Sequence, residues 1–545
     1  MRTSLSDLFV SGLGSGLGSG LGAGPGLRAV LRAGVLAAAL AAVVACGPTA
    51  PANQDCPDKN TNNDPFNCGG CGVVCGVGEV CVRGDCSGTC DPGDTLECYD
   101  GHPLTENVGP CRGGTRTCLP SGQWGPCNGQ ILPSQEICGN GIDENCSGEA
   151  DENVDMDGDG YTTCDGDCCD SSECAQPALV NPGAFDAAGN QLDDDCDGMV
   201  DNTVTECDLG LISNSADAAD YARAMDICQS ATEASRRWGL IDARFSLTNG
   251  AGTPAPASKS IRSMFGSGLV PQAGSAFTLL ASGTAAAPGQ TNPNHIDFTT
   301  SAMFGLSAPF PADWLAAQSP PGQLPNAMGC PAINGGTAAE DPVMLTMRLR
   351  VPSNAKSFSF SSNFYSAEYP EWVCSPYNDF FVVLLDSTWS GQPANPADKN
   401  LAFYRNPGGV IYPVGVNLAH GNTGLFTQCV NGRTGCSPGA TAGTISTCTG
   451  TGHLTGTGFD GPRSGSCDSN SLSGGGTGWL QTSGNVVGGE IITLRIAIWD
   501  TSDQRLDSLV VLDNFQWSVD VSDPGTIIGK HNPVRPAVVQ AALGR

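Results

Sequence analysis

Three short loops in this chain carry carboxylates spaced as a hard cation requires. In Asp155-Met156-Asp157-Gly158-Asp159-Gly160-Tyr161 the aspartates alternate, and a glycine stands sixth. Alternate side chains of a tight turn converge, and the glycine allows the bend that lets their oxygens meet. The same order recurs on both sides. Upstream it is Asp143, Asn145 and Ser147 before Gly148; downstream it is Asp193, Asp195 and Asp197 before Gly198. The flanking loops, residues 139–151 and 189–201, are copies at a 50-residue offset, ending on Asp151 and Asp201. In the central loop Asp165 and Asp167 flank Gly166, at the place where an EF-hand carries its bidentate glutamate, so these loops are calcium-like without being EF-hands. Carboxylate and amide oxygens favour Ca2+ over softer ions. The expected ligand set is therefore these residues, with Tyr161 in the central loop. The competing reading is a set of solvated acidic turns stapled by disulfides, with no ion. Charge favours the metal: residues 118–221 hold 23 Asp and Glu and no Lys, Arg or His. So much like charge repels itself unless cations intervene.

A second acidic group, Asp500, Asp503, Asp507 and Asp513, lies at or between strand-like runs, and Asn378-Asp379 precede another. These residues either share a second cation or cap turns by accepting backbone N–H groups, the commoner work of aspartate at strand ends. Catalytic patterns are weak. The five histidines are scattered. The one Gly-x-Ser-x-Gly, Gly435-Cys436-Ser437-Pro438-Gly439, has proline after the serine, where a hydrolase needs a helix to begin. Glu368 and Glu371 are paired acids of a kind common in turns.

The elements that must position these groups are mostly β. With 74 glycines, 37 prolines and few aromatics, the chain is rich in turns. Strand-like runs fall at residues 343–351, 357–361, 380–385, 491–499 and 508–515, with one helical pattern at 216–231. Many strands in series and few helices predict a β-sandwich or jelly roll. A formal net charge of −30 argues against nucleic acid as a partner.

The N-terminus predicts export. Arg28 and Arg32 precede an uncharged apolar run, residues 33–45, that ends in Val43-Val44-Ala45-Cys46-Gly47. The run is shorter than the roughly 20 residues of a membrane span. The order is that of a secretory signal. Because cysteine follows the small residues directly, it resembles a bacterial lipoprotein signal, which implies acylation of Cys46. The alternative is plain secretion after cleavage near Ala45. Gly47, in place of aspartate, favours the outer membrane. Cysteine usage agrees with an oxidising compartment: of 27 cysteines, 20 lie between Cys56 and Cys228 and six between Cys330 and Cys467. A zinc or redox role would rest on Cys68-Gly69-Gly70-Cys71 alone.

Two family resemblances follow from these residues. Asp157-Gly158-Asp159-Gly160-Tyr161, Pro182-Gly183-Ala184 and the loop from Asp193 to Asp201 resemble the metal-binding motif related to the MopE surface protein, frequent in exported proteins of myxobacteria-like bacteria. That resemblance covers residues 131–202. MopE is associated with copper, but this segment contains no histidine, so copper is not expected. Asn363-Phe364-Tyr365-Ser366-Ala367-Glu368-Tyr369-Pro370-Glu371-Trp372, Tyr377-Asn378-Asp379-Phe380, and the runs from Ile491 to Asp500 and from Asp507 to Phe515 resemble the choice-of-anchor L domain. It covers residues 208–518 and implies a cell-surface domain.

The expected chain is mainly β, in this order: signal peptide 1–45, lipidated tether 46–64, disulfide-rich stalk region 56–130, acidic calcium-loop module 131–202, C-terminal β-sandwich or jelly-roll domain 203–521, and tail 522–545. Its expected role is that of a lipid-anchored surface protein whose calcium-stiffened loops present a non-catalytic sandwich for binding or adhesion, with a glycan or matrix component as ligand. The alternative is a secreted hydrolase acting on a surface polymer through a jelly-roll scaffold.

Overall fold

The computed structural model describes residues 67–529, except 71, 76–79, 83, 88–89, 135, 152–154, 172–173, 203–205, 334–335, 337, 446, 463–466 and 468–471. Cys46, the signal and tether around it, and the end of the tail lie outside the described residues.

The chain is mainly β, and its core is a pair of antiparallel sheets. Numbering only their strands, these are β1 Gly239–Ser246, β2 Lys259–Arg262, β3 Phe277–Ala281, β4 Ser307–Pro309, β5 Ala338–Arg350, β6 Ser357–Ser366, β7 Phe380–Asp386, β8 Gly475–Gly476, β9 Leu480–Asn485, β10 Ile491–Thr501, β11 Ser508–Ser518 and β12 Gly525–Ile528. One sheet has the order β12-β9-β6-β11-β3-β2, with β8 also on β6. The other has the order β7-β10-β5-β1, with β4 also on β5. The seven-stranded sheet thus runs past residue 521, because Gly525–Ile528 pairs with β9.

Side-chain parity explains the nearly unbroken apolar runs. In β10, Ile492, Leu494, Ile496 and Ile498 enter the layer between the sheets, where Val383 of β7 and Val510 and Leu512 of β11 meet them. The alternate residues Ala497 and Trp499 face outward, yet are buried under Phe310 and Trp314 from the segment before β5. On the other sheet, Leu509 and Val511 point outward beneath Phe265, Phe298, Leu454 and Phe459. Long connections therefore cover both outer faces, and strands buried on two sides lose the polar alternation of a solvent-facing sheet.

The helix expected over residues 216–231 is only Ala218–Arg223, capped by Asp217 accepting from Ala219 N at 2.9 Å. It stops because Asp226 takes a left-handed backbone (φ 68°), Cys228 is bonded to Cys207, and Ser230 bridges to Leu240 of β1.

Two compact units divide the described residues: one within 67–98 and 116–126, the other within 99–115 and 127–529. The first is held by Cys68–Cys81, Cys75–Cys86 and Cys90–Cys118. Cys68 is thus a cystine and not half of a zinc pair. In the second, the acidic module is cross-linked by Cys111–Cys146, Cys138–Cys164 and Cys168–Cys196, and it docks on the sandwich. Ser353 donates from its backbone to Gly183 O (2.9 Å) and from Oγ to Asn181 Oδ1 (2.6 Å). Asn354 and Phe185 exchange two hydrogen bonds of 3.1 and 2.8 Å, and Phe185 packs against the inter-sheet core.

Candidate metal centre

The flanking loops fold as true structural repeats. Asp143 accepts from Ser147 N (2.9 Å) and Gly148 N (3.0 Å); Asp193 accepts from Asp197 N (3.1 Å) and Gly198 N (2.9 Å). Asp151 takes the amides of Asn140 and Gly141, and Asp201 those of Gly189, Asn190 and Gln191. Asn145 likewise accepts from Ser147 N at 2.8 Å, and Asp195 from Asp197 N at 3.2 Å. Glu136 and Asp186 play matching parts from outside: each carboxylate bridges two backbone amides of its loop. Cys146 and Cys196, at the same repeat position, share a left-handed backbone. Much of the acidic side chain in these loops therefore organises the turn. Burial, with the charges of Asp197 and Asp186 added, still pushes the Asp195 carboxyl up to about 6.

The central loop differs. Asp155, Asp157 and Asp170 each offer a carboxylate oxygen within 4.8 Å of the others, and so do Asp157, Asp159 and Asp167. Asp155 is the turn maker, accepting from Gly158 N (2.7 Å) and Gly160 N (2.8 Å). Those donors, with Asp159 N, outweigh burial and hold its carboxyl below the usual range. Asp159 is oriented by Tyr161 N and by Asn181 Nδ2, at 2.8 and 2.7 Å. Burial raises Asp157 and Asp159, and neighbouring charge adds to it. Asp167, only 2% exposed, is pushed up to about 6 by burial, then by Asp159, Asp157 and Asp170. One oxygen each of Asp157 and Asp167 (Oδ2) is buried with no hydrogen-bond donor. A buried anionic oxygen left without a donor is costly, and converging ones are what a bound cation satisfies. The donor sets, two all-carboxylate triads that share Asp157, fit a hard ion.

Two predicted ligands are not brought to this cluster by their side chains. Asp165 turns toward Thr162 Oγ1 (3.2 Å) and Arg236 (3.4 Å). Tyr161 turns its ring against the sandwich, its hydroxyl donating to Arg236 O at 2.9 Å, with the Arg236 guanidinium over the ring. Asp170, absent from the sequence-derived set, joins instead. It also accepts from Met156 N at 2.7 Å, so it closes the loop as well as lining it. The only signal for it was another carboxylate soon after Asp167. Cys169 and Cys174 are free thiols in this module. Burial, followed by the contact with Cys174, pushes the Cys169 thiol up to about 12.

The second acidic group splits. Asp513 sits in β11, buried, accepting from the Gln272 and Asn514 amides, with Asp226 nearby. Asp503 accepts from Arg505 N at 3.0 Å, a turn cap. Asp500 and Asp507 are buried together with Asp379.

Residues 332–516 match the choice-of-anchor L domain family, and residues 132–152 and 167–202 match the metal-binding motif family of the MopE type. The motif match takes in both flanking repeats, Asp167 and Asp170, and leaves Asp155, Asp157 and Asp159 between its two segments. The anchor-domain match starts later than residue 208; β1 to β4, which belong to the two sheets, precede it, and β12 follows it. No curated protein and no solved structure matches the chain. Among the described residues no helix is long and apolar enough to cross a membrane. The chain is thus similar to choice-of-anchor L domains over residues 332–516 and to a MopE-type metal-binding motif over residues 132–152 and 167–202, matches that point to a cell-surface protein with a metal-binding motif.

Proposed function

We propose that this protein is a lipid-anchored surface module in which calcium, held by Asp155, Asp157, Asp159, Asp167 and Asp170, rigidifies the acidic module that carries the sandwich, and that the sandwich serves binding or adhesion without catalysis. The observation that carries this reading is a pair of carboxylate triads, Asp155-Asp157-Asp170 and Asp157-Asp159-Asp167, that share Asp157 and include two donor-less buried oxygens. Docking of the module through Asn181, Gly183 and Phe185 would let the ion stiffen the platform under the sandwich. The thiols Cys169 and Cys174 favour a second reading, in which the module takes copper, because they supply soft donors where histidine is missing.

Limited proteolysis of the purified full chain, with and without chelator, tests the calcium reading. Chelation is expected to open cuts between residues 138 and 201 and to leave a protected fragment from about residue 207 onward. Readdition of calcium restores protection, and magnesium restores it poorly because it demands tighter octahedral geometry. An identical cleavage pattern in chelator, or copper found in place of calcium by elemental analysis, overturns it.

The lipid anchor rests on the order of residues around Cys46. Cys46→Ser is expected to leave the precursor unprocessed and unacylated; a variant still cut at Ala45 and released would mean plain secretion.

A further inference from the structure

One end of the sandwich holds a buried acidic cluster that the metal-binding motif does not include. Asp379 immediately precedes β7, Asp500 lies near the end of β10, and Asp507 immediately precedes β11. The first two come from one sheet and the third from the other. Each is about 1% exposed. The Asp379 carboxylate ties the group together: Oδ1 accepts from Thr501 N at 3.2 Å and Oδ2 from Ser508 Oγ at 2.6 Å, the residues directly after Asp500 and Asp507. Asp507 lies against Gly283, where any Cβ would overlap its carboxylate.

Asp500 is the anomaly. Both of its carboxylate oxygens are buried without a hydrogen-bond donor, and so is the hydroxyl of Thr501 beside it. The one neighbouring hydroxyl, that of Ser282, accepts from Ser508 N at 3.0 Å and shares its proton with Ser508 O at 3.4 Å, so it gives Asp500 at most a weak contact. Burial, then the charges of Asp379 and Asp507, pushes the Asp500 carboxyl well above its usual range. Among the described residues no Lys or Arg forms an ion pair with any of the three. A carboxylate this deep ordinarily has a donor, a counter-charge or a metal.

We propose that Asp379, Asp500 and Asp507 bind a hard divalent cation of the calcium class, clamping the two sheets at this end of the sandwich. Asp500 contributes both oxygens, and Asp379 and Asp507 contribute the lone pairs that their hydrogen bonds leave free. An all-oxygen set of this kind suits a 6- to 8-coordinate ion better than a soft one. The site shares no residue with the acidic module, so either can fail without the other.

The test uses the full chain carrying Asp157→Asn and Asp167→Asn, compared with the same chain plus Asp500→Asn. Both are stripped with chelator and titrated with calcium while bound ions are counted by native mass spectrometry. Adding Asp500→Asn is expected to remove one bound calcium per chain. It should also abolish a calcium-induced rise in the unfolding temperature of the sandwich on the order of 5 °C. An unchanged ion count overturns the proposal. So does Asp500→Asn stabilising the chain equally with and without calcium, which would mean that protons alone neutralise the cluster. Should Asp500→Asn not fold, hydrogen exchange on the parent decides: calcium must slow the amides of Thr501 and Ser508, and their indifference to calcium overturns the site.

Discussion

Asp157→Asn combined with Asp167→Asn should weaken calcium uptake by the acidic module by roughly 100-fold or more, since two of its ligands and both donor-less oxygens are altered together. The same pair should change the response to pH. Burial raises the folded Asp167 carboxyl to about 6, above its unfolded value near 4. Between those values the folded module holds more protons than the unfolded chain. Stability of the metal-free module therefore falls as pH rises across that window, and stays lower above it. Calcium takes the deprotonated carboxylate, so it restores most where the metal-free module is weakest, and its affinity drops as pH falls through about 6. In the doubly substituted chain the Asp167 share of this dependence disappears, while Asp195, also pushed up to about 6, keeps a residue of it. Protease resistance at pH 4.5 and 7.5, with and without calcium, reads all four combinations. Wild-type uptake by the double variant would place the ion elsewhere.

How much of this could be read from the chain follows from how local each signal is. The alternation of Asp155, Asp157 and Asp159 with Gly160 is contained in six residues, so the loop was legible at once. Asp170 and Asn181 were not, because they lie outside that repeat and reach the loop only in the folded module, Asp170 by accepting from Met156 N and Asn181 by donating to Asp159. Among the strongest strands, β7 is buried on both faces and announces itself by an unbroken apolar run, while β5, β10 and β11 announce themselves by apolar residues that alternate with polar ones over part of their length. The others are quieter. In β9, Leu480-Gln481-Thr482-Ser483-Gly484-Asn485 has a single large apolar residue, yet Leu480, Thr482, Gly484 and Asn485 are all buried, so its place is set by its partners β6 and β12. The acidic residues of 500–513 read as one group because they are close in sequence. The fold separates them: Asp503 caps its own turn, Asp513 joins Asp226, and Asp500 with Asp507 meets Asp379 from a strand more than a hundred residues earlier. That convergence is purely tertiary.

Gly183→Val should detach the acidic module from the sandwich, at a cost of roughly 2–4 kcal/mol at their contact. A Cβ on Gly183 would overlap the Tyr161 hydroxyl and lie 2.6 Å from its Cζ, well inside contact distance. The ring cannot simply swing away, because its hydroxyl is held by Arg236 O at 2.9 Å and the Arg236 guanidinium covers its face at 5.3 Å. Moving it also disturbs the Gly160 carbonyl, to which Arg236 donates, and with it the exit of the central loop. The backbone of Gly183 accepts from Ser353 N, so shifting the backbone instead breaks the other half of the contact. Two outcomes are expected together. Amides of residues 181–185 and 353–354 should exchange faster, and protease should cut near residues 203–206 even with calcium present. The sandwich itself should melt as before, since its cores lie between and outside the sheets and include only Phe185 from the module, as a partly buried neighbour. Calcium affinity should fall modestly, because Asn181, two residues away, orients Asp159. Unchanged exchange at residues 353–354 would mean that module and sandwich are not coupled through Tyr161 and Gly183.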